Sequence, residues 1–225
     1  MYKYLLPILI LLAISASAGA QNSANSPLVK ENSGKDGFST HLAFELTTPT
    51  GSAGRWSTGG GASLTISYSH FITDHMFIAP GVGGFYNSMG TDFIPQYNNI
   101  YEGTVKNWGV RVPILLGYQL RLAQDLNLAF ATGPLLNINL YAREQATPNF
   151  NADPIEPAES INLFGQGFNR LDLQWDFYVG LIYKQRYSVG FSAGAGITNV
   201  ASMTEGQRRL NIRRNNFSFM LSYTF

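Results

Sequence analysis

The feature that most constrains this chain is an alternation with a period of two residues. From Phe38 onward large apolar residues alternate with small or polar ones, the spacing of a strand whose two faces meet different surroundings. Residues 108–120 are the clearest case. Trp108, Val110, Val112, Ile114, Leu116, Tyr118 and Leu120 share one face, and Gly109, Arg111, Pro113, Leu115, Gly117 and Gln119 share the other. Residues 171–183 repeat the pattern, with Leu171, Leu173, Trp175, Phe177, Val179, Leu181 and Tyr183 opposite Asp172, Gln174, Asp176, Tyr178, Gly180 and Ile182. It recurs over about 38–47, 62–69, 126–141, 187–198 and 216–225. It is weakest over 76–86, where Phe77 and Phe85 fall on the face that carries Gly81 and Gly83. With that segment, eight strands are expected.

The connections alternate in length. Those near 49–60, 87–106, 142–170 and 199–214 are long, whereas those near 70–75, 121–125 and 184–186 are short and carry Asp74, Asp125 and Lys184. An even number of strands of roughly 9 to 13 residues, with short turns at one end and long loops at the other, is the layout of a barrel that crosses a membrane. An eight-stranded barrel is only just wide enough inside for side chains to fill it, so the large apolar face must point outward. The small face, Ser63, Thr65, Ser67 and Ser69 on one strand and Ser188, Gly190, Ser192, Gly194 and Gly196 on another, then lines the interior. A soluble lipocalin-like barrel requires the reverse arrangement. The expected fold is therefore all-β: an eight-stranded antiparallel up-and-down transmembrane β-barrel over residues 37–225.

Composition agrees. Only 13% of the 225 residues are charged, about half the usual share for a soluble domain, while 45% are hydrophobic, too many for a disordered chain. There is no cysteine, which excludes disulfides and Cys-based metal sites, and the three His are scattered. Fifteen basic residues stand against 14 acidic ones, a balance that excludes an electrostatic nucleic-acid partner. At the N-terminus, Lys3, an apolar run from Leu5 to Ile14 and the small residues Ala18-Gly19-Ala20 read as a secretory signal peptide over 1–20. Residues 21–36, rich in Asn, Ser, Gly and Lys, read as a flexible leader.

Four stretches carry a family resemblance: VRVPILLGYQL at Val110 to Leu120, FATGPLLNINL at Phe130 to Leu140, YVGLIYKQRYSVGFSAGAGITNV at Tyr178 to Val200, and the closing FSFMLSYTF. In their order and spacing they resemble the outer-membrane beta-barrel domain family common in Bacteroidetes, which includes the PorT family. The last strand, with Tyr223 and terminal Phe225 on its apolar face, resembles the signal read by the barrel-insertion machinery. The resemblance implies a bacterial outer-membrane location and little about activity, some members being linked to protein secretion. It also implies that Pro113 and Pro134 are tolerated within strands, at bulges. Residues 37–107 match the family only in their alternation.

Candidate functional residues follow from the faces. Glu45, Arg111, Asp172 and Asp176, with Gln119 and Gln174, fall on the inward face, where charge at membrane depth must be paired or wet. A polar network bridging Arg111 to Asp172, Asp176 or Glu45 would plug and stiffen the lumen; a narrow gated pore is the alternative. The third long loop is net acidic, whereas 199–214 carries Arg208, Arg209, Arg213 and Arg214 against Glu205. That Arg cluster is a candidate contact for lipopolysaccharide phosphates through bidentate hydrogen bonds. His41, His70 and His75 are the residues a lipid-modifying barrel enzyme would draw on, yet no nucleophile and base stand at a telling spacing. The expectation is a structural or interaction protein, accessory to secretion or envelope integrity, with no catalytic, cofactor or metal site. Its partners would be outer-membrane lipids and lipopolysaccharide, the insertion machinery and other envelope or secretion proteins.

Overall fold

The computed structural model describes residues 35–51, 56–93, 101–148, 160–205 and 208–225. The expected signal peptide and all but the last two residues of the leader lie outside the described residues. Among the described residues eleven strands follow one another: β1 Gly37–Gly51, β2 Trp56–Ser57, β3 Gly59–Phe71, β4 Met76–Phe93, β5 Tyr101–Ala123, β6 Leu126–Pro148, β7 Ser160–Asn162, β8 Leu171–Tyr183, β9 Tyr187–Gly196, β10 Ala201–Glu205 and β11 Arg208–Thr224. Eight of them pair in the order β1-β3-β4-β5-β6-β8-β9-β11, and β11 returns to β1. Every one of these pairings is antiparallel, and the closing one runs from Ser39 opposite Thr224 to Gly51 opposite Ile212. The ring leaves none of these eight strands with a free edge. β2, β7 and β10 lie off it, pairing with β4, β6 and β11 at the long-connection end.

The alternation read from sequence is the alternation of exposure. Leu64, Ile66, Trp108, Leu116, Phe130 and Phe191 are exposed, while Ser63, Thr65, Ser67, Asn137, Gln174 and Ser192 are buried inside the ring. A strand that turns Leu and Trp outward and Ser and Asn inward has its apolar face toward hydrocarbon. The ambiguous segment 76–86 obeys the same rule, since Phe77 and Phe85 point inward beside Gly81 and Gly83.

Two expectations are corrected. The strands run further than the sequence pattern suggested: β4 extends to Phe93, β5 starts at Tyr101, β6 reaches Pro148 and β11 starts at Arg208. Alternation there no longer runs apolar outward and polar inward: Lys106 stands beside the inward Asn107, and the exposed Arg213 beside the inward Ile212, so the period is harder to see. The strand prolines also need no bulge. Pro113 pairs with Leu135 and Pro134 with Trp175 in unbroken register, and the β5–β6 register shifts fall instead between Trp108 and Gly109 and between Arg121 and Ala123. A strand residue sends its N–H to one neighbour only, so proline removes a single ladder bond there.

The two faces make opposite predictions for the same substitution. Leu116 is 47% exposed on the outer face, and Leu116→Arg should cost about 2 to 4 kcal/mol of barrel stability near the midplane. Ser192→Arg places its guanidinium in the lumen and should cost clearly less, as measured by urea titration in lipid vesicles. Equal losses would invert the assignment of faces.

Candidate functional site

The lumen is organised in layers along the barrel axis. At the long-connection end Met89, Val105, Ala142, Leu163, Phe168, Val200, Ala201 and Ile212 form a buried apolar cluster, with Trp56 and Phe164 packed against it. Met89, Val105, Ala142 and Ile212 continue the inward faces of β4, β5, β6 and β11 past the ring's middle. The connection around Leu163 and Phe168 folds over them, a short 3-10 turn Leu163–Gln166 being closed by Gly167 in the left-handed region at φ 96°. Only glycine adopts that conformation without steric cost.

Beneath the apolar cluster lies a polar layer built by five strands. Arg214 on β11 is fully buried and donates to Asp172 Oδ2 on β8 from Nη2 at 2.6 Å and from Nε at 3.0 Å. Gln174 Nε2 donates to the same oxygen at 3.0 Å. One step lower Arg111 on β5 forms a bidentate pair with Glu45 on β1, its Nη1 to Oε1 and its Nη2 to Oε2 at 3.1 Å. Ser63 on β3 donates to Glu45 Oε1 at 2.7 Å and accepts from Arg111 Nη1 at 2.8 Å. Asn216 Nδ2 spans the two pairs, 3.4 Å from both Glu45 Oε2 and Gln174 Oε1. Both guanidiniums lie over the Phe85 ring, 5.2 Å (Arg111) and 5.1 Å (Arg214) from its centroid. The phenylalanine that blurred the β4 pattern is thus the apolar partition between two buried cations, a favourable place for an aromatic face.

Below this layer the walls change to small residues, and a cavity of about 500 Å³ extends toward the short-turn end. Its ceiling includes Arg111 and Asp176, and its mouth includes Lys35, Asp36, Lys184 and Arg186. His41 stands in its wall with both ring nitrogens engaged, Nδ1 with Ser222 Oγ and Nε2 with Ser67 Oγ, each at 2.7 Å. Among the described residues no carboxylate holds the imidazole, and the neighbouring strand N–H groups are committed to the ladder, so within them this trio lacks both the orienting acid and the oxyanion donors of acyl transfer.

The sequence-derived residues divide accordingly. Glu45, Arg111, Asp172 and Gln174 come together in the polar layer, but Arg111 pairs with Glu45, and the partner of Asp172 is Arg214. Asp176 lines the cavity one step below. Gln119 sits at the short-turn end, bonded through its backbone to His75, and takes no part in the layer. Arg214 corrects the proposed lipopolysaccharide cluster: as an inward residue of β11 it is 0% exposed and cannot reach a lipid headgroup. Arg213, its neighbour, is exposed, and the side chains of Arg208 and Arg209 lie outside the described residues. Tyr223 packs edge-on against Tyr187 and Phe225 at 5.4 and 5.1 Å, and Phe225 N donates to Phe38 O. His70 and His75 do not converge with His41: His70 binds Asp36, and His75 lies beside Tyr118.

Arg214, Phe85 and Asn216 were the functional residues the pattern understated. Continuing the period of two backward from Ser218 through Asn216 to Arg214 and Ile212 would have found the first and last.

A closed ring of eight antiparallel strands, apolar outside and charged inside, defines a transmembrane β-barrel. Residues 13–219 match the family described as outer membrane protein beta-barrel domain, and the chain belongs to that family, whose place is the bacterial outer membrane. Solved structures similar to it include Neisserial surface protein A, 12% identical with a TM-score of 0.39 over 84% of this chain and 97% of that one. Ail, the attachment invasion locus protein of Yersinia pestis, is 12% identical with a TM-score of 0.39 over 85% and 100%. The outer membrane enzyme PagL is 12% identical with a TM-score of 0.41 over 82% and 99%. Among proteins of curated function none matches in sequence.

Two predictions follow from this geometry. Arg214→Met leaves Asp172 buried without its cation, and breaking a buried pair in this way costs about 3 to 5 kcal/mol. Adding Asp172→Asn should recover part of the loss in urea titration, whereas Arg213→Met on the exposed face should change stability by no more than about 0.5 kcal/mol. Outside the membrane-spanning segment, Asp36 accepts from Phe71 N and from His70 Nδ1, each at 2.7 Å. The Phe71 amide first, and His70 second, hold its carboxyl below the ordinary value of 3.8. Because the folded value is depressed, this tie is present at neutral pH and is lost only as pH falls through the lowered value. The Phe71 amide resonance should therefore titrate below the ordinary aspartate range, and a midpoint at or above 3.8 would contradict the tie.

Proposed function

We propose that the protein is a closed, non-catalytic outer-membrane barrel with a structural or interaction role, accessory to secretion or to envelope integrity. The observation that carries this reading is the lumen itself. Two buried ion pairs, a fully buried Gln174 and an apolar cluster succeed one another across the interior, and the 500 Å³ cavity ends beneath them. The motifs over 110–140 and 178–200 support placement near the PorT-like members of the family. On this reading the N-terminal 20 residues are removed on export, the short turns face the periplasm, and Tyr223 and Phe225 serve the insertion machinery. Arg213, with Arg208 and Arg209, contacts lipopolysaccharide phosphates.

A narrow gated channel is the second reading, favoured by the cavity's approach to the Arg111–Glu45 pair, whose opening would leave only the upper layers to cross. The two separate in planar bilayers. The closed barrel gives no steady conductance, and Arg111→Met chiefly lowers stability. A channel conducts, and the same substitution alters its ion selectivity.

Orientation is tested on intact cells. A protease-cleavable tag at the exposed Gly165, on a long connection, should be cut, and one at Asp125, in a short turn, should survive. The reverse pattern would place the short turns outside.

A further inference from the structure

The charges inside the barrel do not cancel. In the polar layer and at the cavity ceiling the Arg111 and Arg214 guanidiniums face three carboxylates, Glu45, Asp172 and Asp176, while Glu144 accepts from Thr91 nearer the long-connection end. Glu45 takes Arg111 in a bidentate pair, and Asp172 takes Arg214. Asp176 is left at the cavity ceiling without a guanidinium of its own. A carboxylate at this depth is unfavourable unless something pairs with it.

Its surroundings are open and aromatic. Its neighbours across the ladder are Gly133 on β6 and Gly194 on β9, so no side chain flanks it in register. Further down, two rings lie flat along the wall because glycines leave them room. A Cβ at Gly117 would stand 2.1 Å from the Phe77 ring, and one at Gly190 would stand 2.6 Å from the Tyr178 ring. Both rings line the cavity, one beside the other in a single apolar cluster. The wall formed by β1 and β3 is hydroxyl-rich, with Ser39, Thr65 and Ser67. The mouth is basic, Lys35 and Arg186 standing against Asp36, which is already tied to Phe71 and His70, while the Lys184 ammonium lies over the outward Tyr183 ring at 5.3 Å.

From this arrangement we infer that the cavity is a binding site for a linear zwitterion that enters at the short-turn end, its ammonium group on Asp176 and its anionic end among the basic residues of the mouth. A single carboxylate beside aromatic faces suits an organic ammonium. It does not suit a hard metal ion, which takes six or more oxygen ligands, and no cluster of three His, Asp or Glu exists among the described residues. The shape is elongated: from Asp176 to Ile182, both lining the cavity, the strand covers about 20 Å at ~3.3 Å per residue. An extended short peptide with free ends has the required charges, length and mixed apolar and hydrogen-bonding sides. The site does not depend on which compartment the short turns face, nor on whether the upper layers ever open.

The test uses the full folded chain in detergent micelles, isotope-labelled, with tetraalanine as probe and the Gly133, Phe177 and Gly194 amides as reporters. Tetraalanine with a free amino terminus should give saturable shifts. N-acetyl-tetraalanine should bind about tenfold more weakly or worse, the worth of one charge-assisted hydrogen bond. Blocking the carboxyl end as an amide should weaken binding less, because the mouth charges are exposed and screened. Asp176→Asn removes an unpaired charge, should fold at least as well, and should abolish the difference between free and acetylated peptides while Arg213→Ala preserves it. Equal binding of the two peptides to the unaltered chain would overturn the inference, as expected if Asp176 merely holds a proton. Absence of saturation with the free peptide would do the same. So would saturation of the same amides by uncharged maltotriose in place of the peptide.

Discussion

Closure of β1 on β11 is the constraint from which the rest of the molecule follows. In hydrocarbon an unpaired N–H or C=O has no water to turn to, so a sheet survives only if its last strand returns to its first. Here thirteen residues of β1, Ser39 to Gly51, pair with β11. The seam is reinforced inside by Ser39 Oγ and Thr224 Oγ1 at 2.8 Å and by His41, which reaches Ser222 on one side and Ser67 on the other. Once the ring is closed, each strand has one face in lipid and one in a narrow lumen. That is why a chain with so few charges still places ionisable side chains, among them Glu45, Arg111, Asp172, Asp176 and Arg214, on its inner face.

The interior then shows how one radius serves two purposes. Where inward positions carry Arg, Asn, Gln and Phe, the lumen fills, as expected of eight strands. Where they carry Ser, Ala and Gly, on the short-turn halves of β1, β3, β6 and β9, the same radius leaves a cavity of about 500 Å³. The aromatic residues there do not refill it, because Phe77 lies against Gly117 and Tyr178 against Gly180 and Gly190. Small residues opposite large ones on adjacent strands let the rings lie along the wall instead of across it.

Much of this was legible in the sequence because the outer and inner environments differ so sharply. Trp108 beside Gly109, or Phe191 beside Ser192, announces its face at once, and the class, the eight strands and the inward Glu45, Arg111, Asp172 and Gln174 follow from that contrast. What was not legible has physical reasons. Toward the long-connection end β11 leaves the region of contrast, so Arg213 and Arg214 looked like one loop cluster although one faces out and the other in. Phe85 looked misplaced because its value lies in contact with two cations that come from β5 and β11, far away in sequence. Gln119 shares its phase with Arg111 but stands eight residues along β5, at the other end of the lumen, and a period of two says nothing about height. The pairing of Arg111 with Glu45 instead of Asp172 depends on strand stagger, which alternation alone does not fix.

Stagger is also what the buried charges enforce. A one-residue slip of β1 against its neighbours would turn every side chain of that strand to the opposite face. Glu45 would leave Ser63, Arg111 and Asn216 for lipid, and the apolar Phe44 and Leu46 would crowd the lumen. A comparable slip of β11 would expel Arg214 from Asp172, at a cost of about 2 to 4 kcal/mol for a lipid-facing Arg at depth. The outer faces discriminate weakly between registers, since one exposed Leu, Phe or Val is nearly as good as another in hydrocarbon. The ion pairs discriminate strongly, because each charge has a partner in one alignment only. Buried pairs of this kind need not add net stability over an apolar core of equal volume. In this barrel their contribution is to make the closing register unique, and with it the layer that roofs the cavity.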